Sequence, residues 1–166
     1  MAPTEFTVAG ALVESPDGLL LVRNQRRNGA TDWSTPGGVI DPTDATLRAG
    51  LAREVWEETG LRVTEWEGPV YEVRATAVEM GWIMRCEVHR ALAFEGEVVV
   101  DDPDGIVIEA TFAAADACSE FLALCAPWVR EPLADWIEHR WGPDDARAYT
   151  YDVFGTSRDA LRVIRT

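Results

Sequence analysis

Gly37-Gly38-Val39-Ile40-Asp41-Pro42-Thr43-Asp44, followed by Arg53-Glu54-Val55-Trp56-Glu57-Glu58-Thr59-Gly60-Leu61, is the stretch on which the reading of the chain turns. Thr46–Thr59 reads as a helix, with Thr46 as its N-cap and Gly60 just past its C-terminus. At about 100° per residue, Glu54, Glu57 and Glu58 share one arc, and Leu47, Leu51 and Val55 fill the arc beside it. The apolar arc anchors the helix to a sheet. The acidic arc is costly: Glu54 and Glu58 are like charges at i,i+4, destabilising by about 0.2–0.5 kcal/mol. All three also lie where the helix dipole disfavours anions, by about 0.3–1 kcal/mol each. A solvated acidic face bears that cost, whereas a divalent cation reverses it. Clustered carboxylate oxygens suit Mg²⁺ or Mn²⁺, which keep waters and accept phosphate oxygens. Gly37 and Gly38 let the backbone pass close to a ligand or metal, and Arg53 is placed to orient a neighbouring carboxylate through bidentate hydrogen bonds.

Outward from this stretch, hairpins and helices mix. Phe6–Val13 and Leu19–Arg23 read as strands around the turn Ser15-Pro16-Asp17-Gly18. Asn24–Ser34 reads as a polar loop and Thr35-Pro36-Gly37-Gly38 as a turn. Beyond the helix, Arg62–Ala77 and Gly81–Phe94 read as long strands, and Val98–Val100 and Ile106–Phe112 as short ones. Ala115–Trp141 is helical in pattern, with breaks expected near Pro127 and Pro132. Ala146–Phe154 and Ala160–Ile164 suggest a closing hairpin around Gly155. The expectation is a mixed sheet with helices on its faces. Residues 1–166 are read as one domain, with an extra C-terminal hairpin at 146–166.

Composition excludes several alternatives. The chain has 166 residues, 47% hydrophobic, which fits a single domain with a sizeable core. Its net charge of −14 argues against nucleic-acid backbones and anionic membranes, though not against a small anion held through a metal. All 15 basic residues are arginine, which removes Schiff-base chemistry and the P-loop lysine. No apolar run spans a bilayer and no leader segment is seen, so a cytoplasmic location is expected. Cys86, Cys118 and Cys125 lack zinc spacing and read as buried apolar groups, with Cys118 and Cys125 sharing a helix face.

The segment Arg53-Glu54-Val55-x-Glu57-Glu58-x-Gly60-Leu61 resembles the C-terminal half of the Nudix signature, G-x₅-E-x₇-R-E-U-x-E-E-x-G-U. The N-terminal half departs from it: counting from Gly38 the first glutamate falls on Asp44, with one extra residue before Arg53, and counting back from Arg53 it falls on Ala45. Gly50 stands where the family often has alanine. The resemblance implies an α/β fold, the Nudix α/β/α sandwich with a mixed sheet, in a MutT-like hydrolase. It implies that Glu54, Glu57, Glu58 and the Gly38 carbonyl hold Mg²⁺ or Mn²⁺, and that Glu57, Glu54 and Arg53 are catalytic. The implied reaction is water attack on the diphosphate of a nucleoside diphosphate derivative, such as a (deoxy)nucleoside triphosphate. Glu57 is the first choice of general base, with Asp102, Asp104 and Glu109 as alternatives. Arg23, Trp33, Gly37 and Gly38 are candidate substrate contacts. The partner is a small nucleotide-like diphosphate, with no nucleic acid and no membrane, and a homodimer is compatible with the family.

Trp82, Met84, Cys86 and Val88 alternate with Ile83, Arg85, Glu87 and His89, and the first set is expected in the core. Two other readings compete. One is a Nudix-fold domain that senses a nucleotide or ADP-ribose without cleaving it. The other is an isoprenoid-diphosphate isomerase, which needs a cysteine in the pocket, a role for which a core-facing Cys86 is poorly placed.

Overall fold

The structure, a computed structural model, describes residues 2–166. In chain order the strands are β1 (Thr4–Leu12), β2 (Glu14–Ser15), β3 (Gly18–Gln25), β4 (Thr31–Ser34), β5 (Gly37–Val39), β6 (Arg62–Ala77), β7 (Trp82–Glu95), β8 (Val107–Ala113), β9 (Arg147–Phe154) and β10 (Arg162–Arg165). The helices are α1 (Leu47–Thr59), α2 (Cys118–Phe121) and α3 (Pro127–His139). The larger sheet runs β10-β9-β6-β7-β1-β5, and the smaller is built on β3, which pairs with β2, β4 and β8. Pairs β1–β7 and β6–β9 are parallel and the others antiparallel, so the larger sheet is mixed.

Alternation along the strands sorts the apolar residues into two cores. Ala9, Ala11, Val13 and Leu20 pack with Leu51 and Val55 of α1. Leu12, Leu19, Leu21 and Val73 pack on the other side with Leu133 and Trp136 of α3. One helix therefore covers each side, the α/β/α arrangement expected. Leu51 and Val55 are wholly buried, each stabilising the fold by about 1.5–3 kcal/mol.

The α1 boundaries follow their caps. The Thr46 side chain accepts a hydrogen bond from Ala49 N at 3.0 Å, and Gly60 takes the left-handed conformation (φ 76°) while its N–H bonds Trp56 O. Gly37 is required for a different reason. At its φ of 149° a Cβ would lie 2.0 Å from Ala9 O, so only glycine lets β5 lie against β1.

Several expected elements differ. Asn24–Ser34 is not one loop: β3 continues to Gln25 and the chain returns as β4, closed by Arg26 N→Ala30 O at 2.8 Å. Gly37 and Gly38 belong to a strand rather than a turn. Val98–Val100 forms no strand; Val99 N bonds Thr59 O instead, tying this segment to the end of α1. The helical stretch splits into α2, a short 3₁₀ turn and α3. Pro127 opens α3, where its missing N–H costs nothing, and Pro132 lies within α3 without ending it. Cys118 therefore opens α2 while Cys125 lies just past the 3₁₀ turn, on no shared helix face; both are buried and free, and each thiol donates to a backbone carbonyl, Ala114 O and Trp33 O respectively. Residues β9 and β10 pair around Gly155, and β9 extends the larger sheet beside β6. Among the described residues no helix is long and apolar enough to cross a membrane.

Candidate active site

A cavity of about 550 Å³ opens between β6, β7, the Gly37-Gly38 strand, the end of α1, the Asp101–Gly105 loop and the first turn of α3. Glu54 and Glu58 line it, with Gly37 and Gly38 opposite. A Cβ on Gly38 would fall 3.0–3.2 Å from the Glu54 carboxyl group, so the strand approaches α1 closely.

Glu58 is only 6% exposed, and its described hydrogen bonds are two long ones from Gly37 N, 3.4 Å to each oxygen. Burial pushes its pKa up to about 9, Glu54 adds to the rise, and the Gly37 amide opposes it. The Glu54 carboxyl is also raised, first by burial, against the pull of Arg53. A buried acid, Glu58, and a half-buried one, Glu54, thus line the cavity opposite a glycine strand, with further acids, Asp102 and Asp104, on the cavity wall. This donor chemistry fits a hard divalent cation, whose charge offsets both desolvation and mutual repulsion.

Arg53 organises the acidic arc from behind. It bonds Glu54 at 3.3 Å and Glu57 at 3.2 Å, and grips Asp44 with two bonds, Nε–Oδ1 at 3.2 Å and Nη2–Oδ2 at 3.1 Å. The hydrogen bond to Asp44 holds the Arg53 guanidinium more firmly protonated than usual, and the same bond lowers the Asp44 pKa. Asp44 also accepts from Asp41 N at 2.9 Å. It therefore carries the charge partnership with Arg53 despite the extra loop residue. Gly50 is the complement of that arrangement: a Cβ there would sit 2.5 Å from Asp44 Oδ2. The glycine that weakens the helix by about 1 kcal/mol relative to alanine leaves room for the aspartate.

The remaining candidates divide by strand parity. Arg23 pairs with Glu109 at 3.4 Å on the exposed face, so neither residue lines the cavity. Trp33 packs edge-on against Phe121, with centroids 4.9 Å apart, and lies half-buried against the core. Their strand neighbours Asn24 and Ser34 line the cavity, with Arg26. Glu57 is drawn toward Arg53 and is not part of the cavity wall. Asp102 is engaged in loop structure, accepting from the backbone N–H of Asp104, Ile106 and Val107; Asp104 lines the cavity with no side-chain bond among the described residues. Among the described residues no three His, Cys, Asp or Glu side chains converge into a self-sufficient metal site.

On β7, Val88 is a buried member of the core and Trp82, Met84 and Cys86 pack against it, as expected, while Met84, Cys86 and Val88 also line the cavity. On the alternate register His89 is buried, accepting from Arg48 Nε at 3.2 Å and lying 3.1 Å from Glu87. Cys86 thus lies at the cavity wall, but burial pushes its thiol up to about 12, so it is a neutral contact rather than a thiolate nucleophile. Asn24 and Tyr71 were not singled out by sequence; Asn24 lies in the polar run Arg23-Asn24-Gln25 that ends β3, which carries no signal of a cavity.

The chain matches the NUDIX domain over residues 4–136. It is 51% identical over 57 residues to a MutT-like protein of Streptomyces ambofaciens, a stretch covering 34% of each chain. It is 36% identical over 70 residues to the phosphatase NudJ of Escherichia coli K12, covering 37% of this chain and 45% of that one. The matched stretch thus spans less than half the length of either curated relative. The NUDIX hydrolase structure from Nitrosomonas europaea superposes with a TM-score of 0.65 at 21% identity, covering 86% of this chain and 95% of that one.

Proposed function

The chain belongs to the Nudix family, and from that premise we propose that it is a Mg²⁺- or Mn²⁺-dependent hydrolase of the diphosphate bond in a nucleoside diphosphate derivative. The observation that carries this reading is Glu58, an acid buried beside Glu54 and bounded by further acids, facing the Gly37-Gly38 strand. Glu54, Glu58 and the Gly38 carbonyl would hold the cation, with Glu57 joining them if it turns from Arg53. Substrate oxygens and water would complete the donor set. When bound, the ion supplies charge neutralisation of the diphosphate and a lowered pKa for its water.

The chain's own residues do the rest. Arg53, anchored by Asp44, fixes Glu54 and Glu57 in orientation, which removes rotamer freedom that binding would otherwise have to freeze. The Gly37 amide points at Glu58 and biases it toward the charged form. The two glycines keep side chains away from the phosphates. Water adds to one phosphorus, the bridging P–O bond breaks, and two phosphorylated fragments leave. The proton goes to a carboxylate, for which this reading assigns Asp104, on the cavity wall, or Glu57, which lies outside that wall on an Arg53 bond and would have to turn inward. Residues 1–166 act as one domain in this reading, with the 146–166 hairpin as an extension of its sheet.

The test is hydrolysis of a panel of nucleoside triphosphates, nucleotide sugars, ADP-ribose and dinucleoside polyphosphates with Mg²⁺ or Mn²⁺, comparing the parent with Glu57→Gln and Asp104→Asn. At least one compound should turn over only with metal, and one variant should lose about 10²–10⁴-fold in kcat. Tight binding of a nucleotide with no turnover of any compound would replace the hydrolase by a sensor.

A further inference from the structure

His89 is 4% exposed on β7, opposite a break in the pairing of β7 with β6. Arg48 of α1 donates from Nε to His89 Nδ1 at 3.2 Å and from Nη2 to the Gly68 carbonyl at 3.0 Å. Accepting at Nδ1 leaves the ring proton on Nε2, which donates to Glu87 Oε1 at 3.1 Å. The register of β6 shifts between Glu67 and Tyr71, across from His89, and a Cβ on Gly68 would lie 2.9 Å from His89 Nδ1. The bulge and the glycine thus make room for a buried imidazole and bring a backbone carbonyl to the same guanidinium.

The charged groups facing His89 are Arg48 from α1, Glu72 from β6 and Glu87 from β7 itself; β1 presents Ala11. Burial lowers the His89 pKa from its ordinary 6.5, against the pull of Glu87 and with the help of Arg48. The ring is therefore neutral at pH 7, as the Arg48 bond requires. An imidazolium has two donors and no acceptor, and it would meet the guanidinium as a like charge. The bond is intact above pH 6.5 and is lost as pH falls through the lower folded-state pKa.

Arg48 stands in the first turn of α1. Leu51 and Val55 seat the later turns on the core, whereas Leu47 is only partly buried, and Arg48 supplies the polar tie of the first turn to the sheet. Just before the Thr46 cap lies Asp44, which grips Arg53, and Arg53 orients Glu54 and Glu57. We propose that Arg48 and His89 are positioning residues for the cation site: neutral His89 holds Arg48, Arg48 holds the first turn of α1, that turn holds Asp44 behind Arg53, and a proton on His89 releases the series. This deepens the hydrolase reading and rests on it for what the site binds.

Nuclear magnetic resonance of the ¹⁵N-labelled, metal-free chain tests it. The chain has two histidines, so the His89 ring nitrogens need only be told from those of His139. Between pH 8 and pH 5 the His89 ring and the Asp44 amide should shift with one midpoint, below 6.5. Asp44 itself stays charged there, because its bond with Arg53 lowers its pKa. His89→Gln keeps an acceptor for Arg48 and cannot take the proton, so the shared step should vanish. Arg48→Met keeps the stem and removes the fork. At pH 7 its Asp44 amide should lie where the parent's lies only in acid, and it should bind Mn²⁺ about tenfold more weakly than the parent. The proposal is overturned if His89 and Asp44 share no acid step, if His89→Gln keeps that step, or if Arg48→Met matches the parent at pH 7 in the Asp44 amide or in Mn²⁺ affinity. The shared step without metal-dependent turnover would sink the hydrolase reading alone; turnover without the shared step would sink this proposal alone.

Discussion

Replacing Glu58 by glutamine should make the metal-free protein more stable, not less. Burial lifts the Glu58 pKa from its ordinary 4.5 to about 9. Between those values the folded chain binds more protons than the unfolded one, so stability falls as pH rises through that window. At pH 7 the burden is 1.36 kcal/mol per unit over roughly 2.5 units, or about 3 kcal/mol. Glutamine keeps the shape and cannot ionise, so Glu58→Gln removes the burden. For a chain of this size, about 2–4 °C per kcal/mol gives a melting temperature about 6–12 °C above the parent's at pH 7. Thermal unfolding in EDTA at pH 6, 7 and 8 measures this, and the gap between variant and parent should widen with pH. A variant less stable than the parent at pH 8, or a gap independent of pH, would refute the reasoning. Adding Mn²⁺ and a nucleotide should narrow the gap, because the parent gains a ligand that the variant holds poorly.

Other substitutions probe the support of the site. Gly50→Ala should raise helix propensity by about 0.5–1 kcal/mol yet displace the Asp44 carboxylate, 2.5 Å from the new Cβ. Metal affinity or kcat should then drop about 10- to 100-fold with the melting temperature near the parent's; unchanged kinetics would show that Asp44 is not needed behind Arg53. Leu51→Ala, at a wholly buried position of α1, should cost about 2–5 kcal/mol in urea unfolding with kcat retained at low temperature. A cost under 1 kcal/mol would mean that α1 does not depend on this contact.

The legible parts of the chain were those where local chemistry and packing agree. Thr46 and Gly60 close α1 because their caps bond within it, and Leu51 and Val55 mark its buried side. The long strands β6 and β7 were readable from length and alternation. Alternation, however, reports that a strand has two faces and not which one a helix covers. Met84, Cys86 and Val88 lie in or against the core as their alternation implies, yet they also form a cavity wall, which alternation does not report. Likewise Arg23 and Trp33 stand one step out of phase with Asn24 and Ser34, which line the cavity. The polar segment 24–34 concealed the start of the β4 hairpin, since edge strands tolerate polar residues that resemble loop. The count from Gly38 to Arg53 left Asp44 undecided, and only the bidentate contact with Arg53 and the space at Gly50 relate the two halves of the motif.

The central claim, that Glu54 and Glu58 form the heart of a cation site beside a diphosphate, is tested most directly by Mn²⁺ binding followed by electron paramagnetic resonance. With a non-hydrolysable nucleoside triphosphate analogue present, the parent should bind Mn²⁺ more tightly than the analogue does alone, and Glu54→Gln with Glu58→Gln should abolish that gain. Mn²⁺ affinity that is the same in the double variant as in the parent would contradict the account.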